Sequence, residues 1–258
     1  MIKMEVFMEF VFLCALGVGF STIFGAIIGF ILKKPSMRFN NIMLSFASGV
    51  MLSASIWGLI IPSLEAGGLS FIVTTVGIFC GALCIDLCNK AVPHLHSITG
   101  LDDGHLSANE DKVNKVLIFV IAIAVHNLPE GIATGVSFGT GNIADAIMVA
   151  LSIALQNIPE GMVIIAPMLA VGISKWRTLA IAFLTGAIEI IGTLLGYLVV
   201  SISSFILPFA LSFAGGSMIY VIADEMIPET HEGGKGKASS YALLFGFALM
   251  IIINSLLN

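Results

Sequence analysis

The chain writes one phrase twice. His126-Asn127-Leu128-Pro129-Glu130-Gly131 returns as Gln156-Asn157-Ile158-Pro159-Glu160-Gly161, each copy inside a long apolar run. On a helix His126 and Glu130 are four apart and share a face. Asn127 is turned from His126 by about 100°. Pro129 has no N–H, so the carbonyl of Val125 loses its helical partner, and Pro159 does the same to Leu155. Such carbonyls are tolerated in hydrocarbon where they line a cavity or meet a partner. Imidazole, carboxylate and amide oxygen together suit a divalent metal such as zinc, iron or manganese. The two copies offer His126, Glu130, Gln156 and Glu160, with Asn127 and Asn157 beside them. Either copy alone reads equally as a helix–helix hydrogen bonder, a proton relay or a simple kink. The repetition points to a site.

The elements that position these residues are membrane helices. Of 258 residues, 58% are hydrophobic and only 10% charged. Apolar runs of about 20 residues are spanning helices. Eight are predicted, at about 6–32, 40–62, 69–90, 114–139, 143–170, 176–200, 204–227 and 239–257, in one transmembrane domain covering 1–258. The first is read as a spanning helix rather than a signal peptide. The one long connection, 91–113, is read as a loop. With 11 basic residues against 16 acidic ones, nucleic-acid binding is not suggested. Cys14, Cys80, Cys84 and Cys88 make no disulfide framework and read as small packing residues.

Charge orients the chain. Every basic residue except Lys3 falls in an odd-numbered connection or its flank: Lys33, Lys34, Arg38, Lys90, Lys112, Lys115, Lys175, Arg177, Lys235 and Lys237. The positive-inside rule then puts those connections in the cytoplasm and both termini outside the cell. The second and seventh helices share a pattern, small-rich at first and ending at a proline (Pro62, Pro228), yet run in opposite directions. So do the fourth and fifth. Inverted repeats meeting at mid-membrane are a transporter signature. The fold class expected is an all-α polytopic membrane protein, eight helices in a 3+2+3 arrangement with an inverted repeat. Gly17, Ser21, Gly25 and Gly29 form a stripe for close helix approach, inside the chain or between subunits.

Depth sharpens the site. His126, Asn157 and Glu189 each lie near the centre of a predicted helix. No Lys or Arg is available there to neutralise Glu130, Glu160 and Glu189, so a divalent cation is the economical partner and protons the fallback. A second polar group, on the cytoplasmic side, comprises Asp86, His94, His96, Asp224 and Glu225 and reads as a metal exit. Glu65 and Asp145 lie at outer helix ends.

These residues resemble the Zrt/Irt-like (ZIP) family of metal transporters, over nearly the whole chain and most closely its bacterial GufA-like branch. The most specific likeness is the H-N-x-P-E-G phrase at 126–131 and its relative at 156–161. The resemblance implies that His126, Glu130, Gln156 and Glu160 form the transport site. It implies a neighbouring site of Asn127, Asn157 and Glu189 sharing Glu130 and Glu160, with Met51 close by. It further implies that helices one, four, five and six slide against two, three, seven and eight, and that the protein is a homodimer. Asp224 stands where many members have His, Asn89 where Asp is often found, and Gln156 and Asn157 where some have His and Asp. The second site therefore carries less charge.

The expectation is a cell-membrane importer of zinc, with iron, manganese or cadmium as other cargo. Neither an enzymatic activity nor an organic cofactor is expected. No phosphate-loop motif suggests ATP as driver. The competing readings are a membrane-embedded metal-dependent hydrolase and a proton-coupled transporter of another solute.

Overall fold

The computed structural model describes residues 2–32, 36–66, 68–98, 125–170, 173–231 and 236–257. Among them there are eight helical segments: α1 (Ile2–Leu32), α2 (Met37–Glu65), α3 (Ser70–Ile98), α4 (125–137), α5 (Ile143–Ala170), α6 (Lys175–Ile202), α7 (Leu207–His231) and α8 (Lys237–Leu257). Seven of them, all but α4, contain a stretch long and apolar enough to cross a membrane. The fold is an all-helical multi-pass one, as hydrocarbon demands of backbone that must bond within its own segment. The first part of the predicted fourth span, 114–124, lies outside the described residues.

Two helices start on a serine cap. The Ser36 hydroxyl accepts from Phe39 N–H at 3.2 Å, and Ser174 from Arg177 N–H at 3.4 Å. Both satisfy a backbone donor that the first turn leaves free.

The predicted ends differ at three helices. α3 runs on to Ile98, past residue 90, so the start of the 91–113 segment is helical rather than loop. Leu87, Ala91 and Leu95 keep the helical spacing of four through that stretch. Pro62 and Pro228 do not end α2 and α7, which continue to Glu65 and His231. In each helix a π segment precedes the proline: Ala54–Ile60 before Pro62, and Ile222–Met226 before Pro228. The Ile61 N–H reaches back to Ile56 O, and the Ile227 N–H to Ile222 O. This wider turn draws the crowded carbonyl away from the pyrrolidine ring and lets the helix pass.

Glycines seat the helices on each other's backbone. Gly25 of α1 faces Ile158 of α5, and Gly161 of α5 faces Thr22 and Ala26 of α1. Gly19 and Gly186 face each other between α1 and α6, and Gly131 and Gly135 of α4 lie on Glu189 and Thr193 of α6. In the same way Gly49 and Gly246 join α2 to α8, and Gly81 and Gly216 join α3 to α7. Without a hydrophobic drive between helices in lipid, such close approach supplies the attraction. Two groups result, α1/α4/α5/α6 and α2/α3/α7/α8. Gly25 and Gly29 of the predicted stripe are thus spent inside the chain, against α5. Between the groups the contact is made by side chains. Gly58 of α2 faces the side chains of Val149 and Met148, and the shared core includes Val50, Met51, Ala133, Ile153 and Met218.

Candidate metal site

Glu189 is the node of the first group. It is fully buried on α6. Its Oε1 accepts from Asn127 Nδ2 of α4 at 2.7 Å, and its Oε2 from Asn157 Nδ2 of α5 at 2.9 Å. Thr22 Oγ1 of α1 lies 3.3 Å from both oxygens. Asn157 Nδ2 also donates to the Val18 carbonyl at 3.2 Å. One carboxylate therefore ties together all four helices of its group. Both asparagines of the doubled phrase converge on it, as their equivalent place in the two copies implies.

Next to this node stand further buried polar atoms. Glu130 is buried on the turn after Asn127, and its carboxylate is close enough to those of Glu160 and Glu189 to repel them. The Gln156 amide stands beside Glu130 and points Nε2 at Asn157 Oδ1, 3.5 Å away. Four buried atoms here have no hydrogen-bond partner among the described residues: His126 Nε2, Asn127 Oδ1, Glu130 Oε2 and Gln156 Oε1. Leaving buried acceptors unsatisfied costs about 1–3 kcal/mol each. Among the described residues the only other such side-chain atom is Ser45 Oγ. Oxygen and nitrogen atoms left bare in this way could hold a cation.

His126 and Glu160 line a cavity of about 200 Å³ with Asn127, Val221, Glu225 and Glu229. It opens at the end of the bundle where α1 and α7 finish and α8 begins. His126 Nε2 is 3.0 Å from Glu225 Oε1, an ion-pair distance. The pair does not meet hydrogen-bond geometry, so Nε2 has no hydrogen-bond partner among the described residues. Glu225 Oε1 also accepts from Asn89 Nδ2 of α3 at 2.7 Å.

The structure thus brings together His126, Asn127, Glu130, Gln156, Asn157, Glu160 and Glu189, with Glu225 at the mouth. Among the described residues no three His, Cys, Asp or Glu side chains form a compact metal-binding group. The donors that meet are carboxylates mixed with amides. Met51 is buried in the apolar core on α2. Asp86 is engaged elsewhere, by Lys90 Nζ at 2.6 Å and by Tyr220 Oη at 3.1 Å. Asp224 is exposed on α7, and Glu65 and Asp145 lie at helix ends away from the cavity. His94 and His96 fall on the last turns of α3, where side chains are outside the described part, and His105 lies outside the described residues.

Sequence reasoning missed Thr22. Thr22 had a signal: a hydroxyl near the middle of an apolar run, four residues from Val18 and three from Gly25, on the face that α5 approaches.

A family model described as ZIP zinc transporter matches residues 86–254. Zinc transporter GufA of Myxococcus xanthus is 38% identical over 205 residues, 77% of this chain and 79% of the relative. Zinc transporter ZIPB of Bordetella bronchiseptica is 36% identical over 251 residues, 92% of this chain and 78% of the relative. Human zinc transporter ZIP11 is 29% identical over 331 residues, 95% and 97% of the two chains. The repeated proline-glutamate phrase, the buried donors and these relatives agree, and the chain belongs to the ZIP family of zinc transporters.

Proposed function

We propose that this protein imports zinc into the cytoplasm through the site built by the doubled phrase. His126, Glu130, Gln156 and Glu160 would hold the cargo. The four unpartnered buried donor atoms carry this reading, because three of those four residues contribute one and the fourth, Glu160, lines the adjoining cavity. The donors are oxygens and an imidazole nitrogen, a set that iron, manganese and cadmium also accept. Glu189, Asn127 and Asn157 form the neighbouring subsite.

Transport follows alternating access. The glycine-seated group α1/α4/α5/α6 carries the site as one body and slides past α2/α3/α7/α8. The contrast between backbone seams inside the groups and side-chain contact between them supports this motion. An inverted 3+2+3 repeat underlies it. Under that repeat α2 matches α7, and both have a π segment before a proline. The pairs α3·α7 and α8·α2 then correspond, as do α1·α5 and α6·α4. With the basic connections in the cytoplasm, both termini are extracellular, and the cavity at His126 and Glu225 opens inward. The protein works as a homodimer in the cell membrane.

The test is zinc entry into proteoliposomes holding a fluorescent indicator. Entry with the wild type and none with Glu160→Ala is expected. Equal entry with both, at matched insertion, removes the site assignment.

A further inference from the structure

A second cavity, of about 630 Å³, lies where α2, α5 and α8 meet. Met43 and Phe46 of α2, Leu155 and Pro159 of α5, and Tyr241 and Ala242 of α8 form its apolar wall. All three helices contain a stretch apolar enough to span a bilayer.

The helix faces that build the groove share one order. Positions 38, 42 and 46 of α2 are four apart and lie on one face, as do 237, 241 and 245 of α8. Each face therefore starts with a cation, Arg38 or Lys237, and continues apolar into the groove. Met43 meets Ala242 and Phe46 lies beside Phe245, at a ring separation of 6.0 Å, so the two helices run parallel. Both cations stand at the same end. Both are exposed, and neither forms an ion pair with another described residue. Tyr241, 73% exposed, stands one turn into α8, where an amphipathic ring suits the headgroup level.

We propose that this groove binds a phospholipid with an anionic headgroup, its phosphate held by Arg38 and Lys237 and one acyl chain laid against Phe46, Ala242 and Pro159. Two cations above an apolar trough match such a lipid in charge and in length of contact. The groove has α5 on one wall and α2 with α8 on the other, so its occupant bridges the seam between the two glycine-seated groups. The chain lies against the turn that carries Gln156, Asn157 and Glu160, over the Leu155 carbonyl that Pro159 leaves without its helical partner. Lipid composition would then bear on any movement of α5 past α2. The inference rests on the groove and its charges, not on the cargo.

Photo-crosslinking tests it. The full-length protein is placed in phosphatidylcholine bilayers containing phosphatidylglycerol with a diazirine in the acyl chain. Labelled peptides should centre on 42–46, 155–159 and 238–245. Unlabelled phosphatidylglycerol should displace the probe, and phosphatidylcholine far less. Arg38→Gln with Lys237→Gln should lower that preference by about tenfold. Ala242→Trp should remove the labels at 155–159 while sparing distant lipid-facing residues such as Phe79. If Ala242→Trp does not fold, Ala238→Phe takes its place, with the same loss of labels at 155–159 expected. Even labelling of every lipid-facing helix overturns the site. Equal displacement by both lipids overturns the anionic headgroup. Disulfide cross-linking of two chains through Tyr241→Cys in native membranes assigns the groove to a second copy and overturns the lipid.

Discussion

His126 Nε2 of α4 stands 3.0 Å from Glu225 Oε1 of α7, across the seam between the two groups of helices. The same carboxylate oxygen is held by Asn89 of α3 at 2.7 Å. An imidazole nitrogen suited to metal thus faces a carboxylate at the cavity mouth, a short step for a departing cation. Glu225→Ala should slow zinc release and lower the maximal uptake rate by about tenfold, the equivalent of about 1.4 kcal/mol. Half-saturation should not rise. Initial rates over a range of zinc concentrations check this, and an unchanged maximum refutes a release role for Glu225.

The carboxylates of the doubled phrase should be less dispensable. Glu130→Ala and Glu160→Ala each remove a carboxylate from the proposed transport site and should abolish uptake. His126→Ala should weaken it strongly. The readout is zinc entry into proteoliposomes at matched protein insertion. Wild-type rates in both Glu variants would end the assignment.

Glu189 should matter more to stability than to uptake. Glu189→Ala removes the acceptor of Asn127 Nδ2 and of Asn157 Nδ2. Each buried donor left bare costs roughly 1–3 kcal/mol. The melting temperature in detergent should fall clearly, and Glu189→Gln, which keeps one acceptor oxygen, should fall less. Uptake should be milder in its loss than for Glu130→Ala, with an altered preference among metals. A Glu189→Ala protein as stable as the wild type would show that the node holds nothing together.

Glycines at backbone seams should tolerate no side chain. A Cβ at Gly161 meets the Thr22 carbonyl, whereas one at Gly58 meets the Val149 side chain. A backbone carbonyl on a packed helix cannot step aside, and a side chain can shift in part. Gly161→Ala should cost about 1–3 kcal/mol or more as overpacking, and Gly58→Ala distinctly less. Thermal unfolding of the two variants side by side gives the comparison; equal losses would erase the distinction between seams within and between the groups.

The site residues were legible because they violate their surroundings. His126, Glu130, Glu160 and Glu189 are polar groups in apolar runs, and the repetition of proline and glutamate at fixed spacing marks them without any coordinates. Seven spans were legible from apolar length, and the basic residues gave an orientation to expect. Helix ends were not. Pro62 and Pro228 signal a stop to any reader of the sequence, yet a π turn before each lets the helix continue. That turn is a rearrangement of backbone hydrogen bonds and leaves no residue-type signature.

Sequence by itself determined that this is a multi-pass membrane protein carrying a doubled polar phrase within its apolar runs, because hydrocarbon penalises every such residue one at a time. Only the tertiary structure decided which partner each residue takes. Asn127 and Asn157, a helix apart, meet on one carboxylate; Thr22 joins them from the first helix; His126 reaches Glu225 across the seam. Of the stripe read in α1, Gly25 and Gly29 seat α1 on α5, while Gly17 meets nothing among the described residues. Spacing along a chain fixes the face of a helix on which a side chain lies, but the neighbour that face meets is set by contacts between residues far apart in sequence, such as Thr22 and Glu189 at a separation of 167.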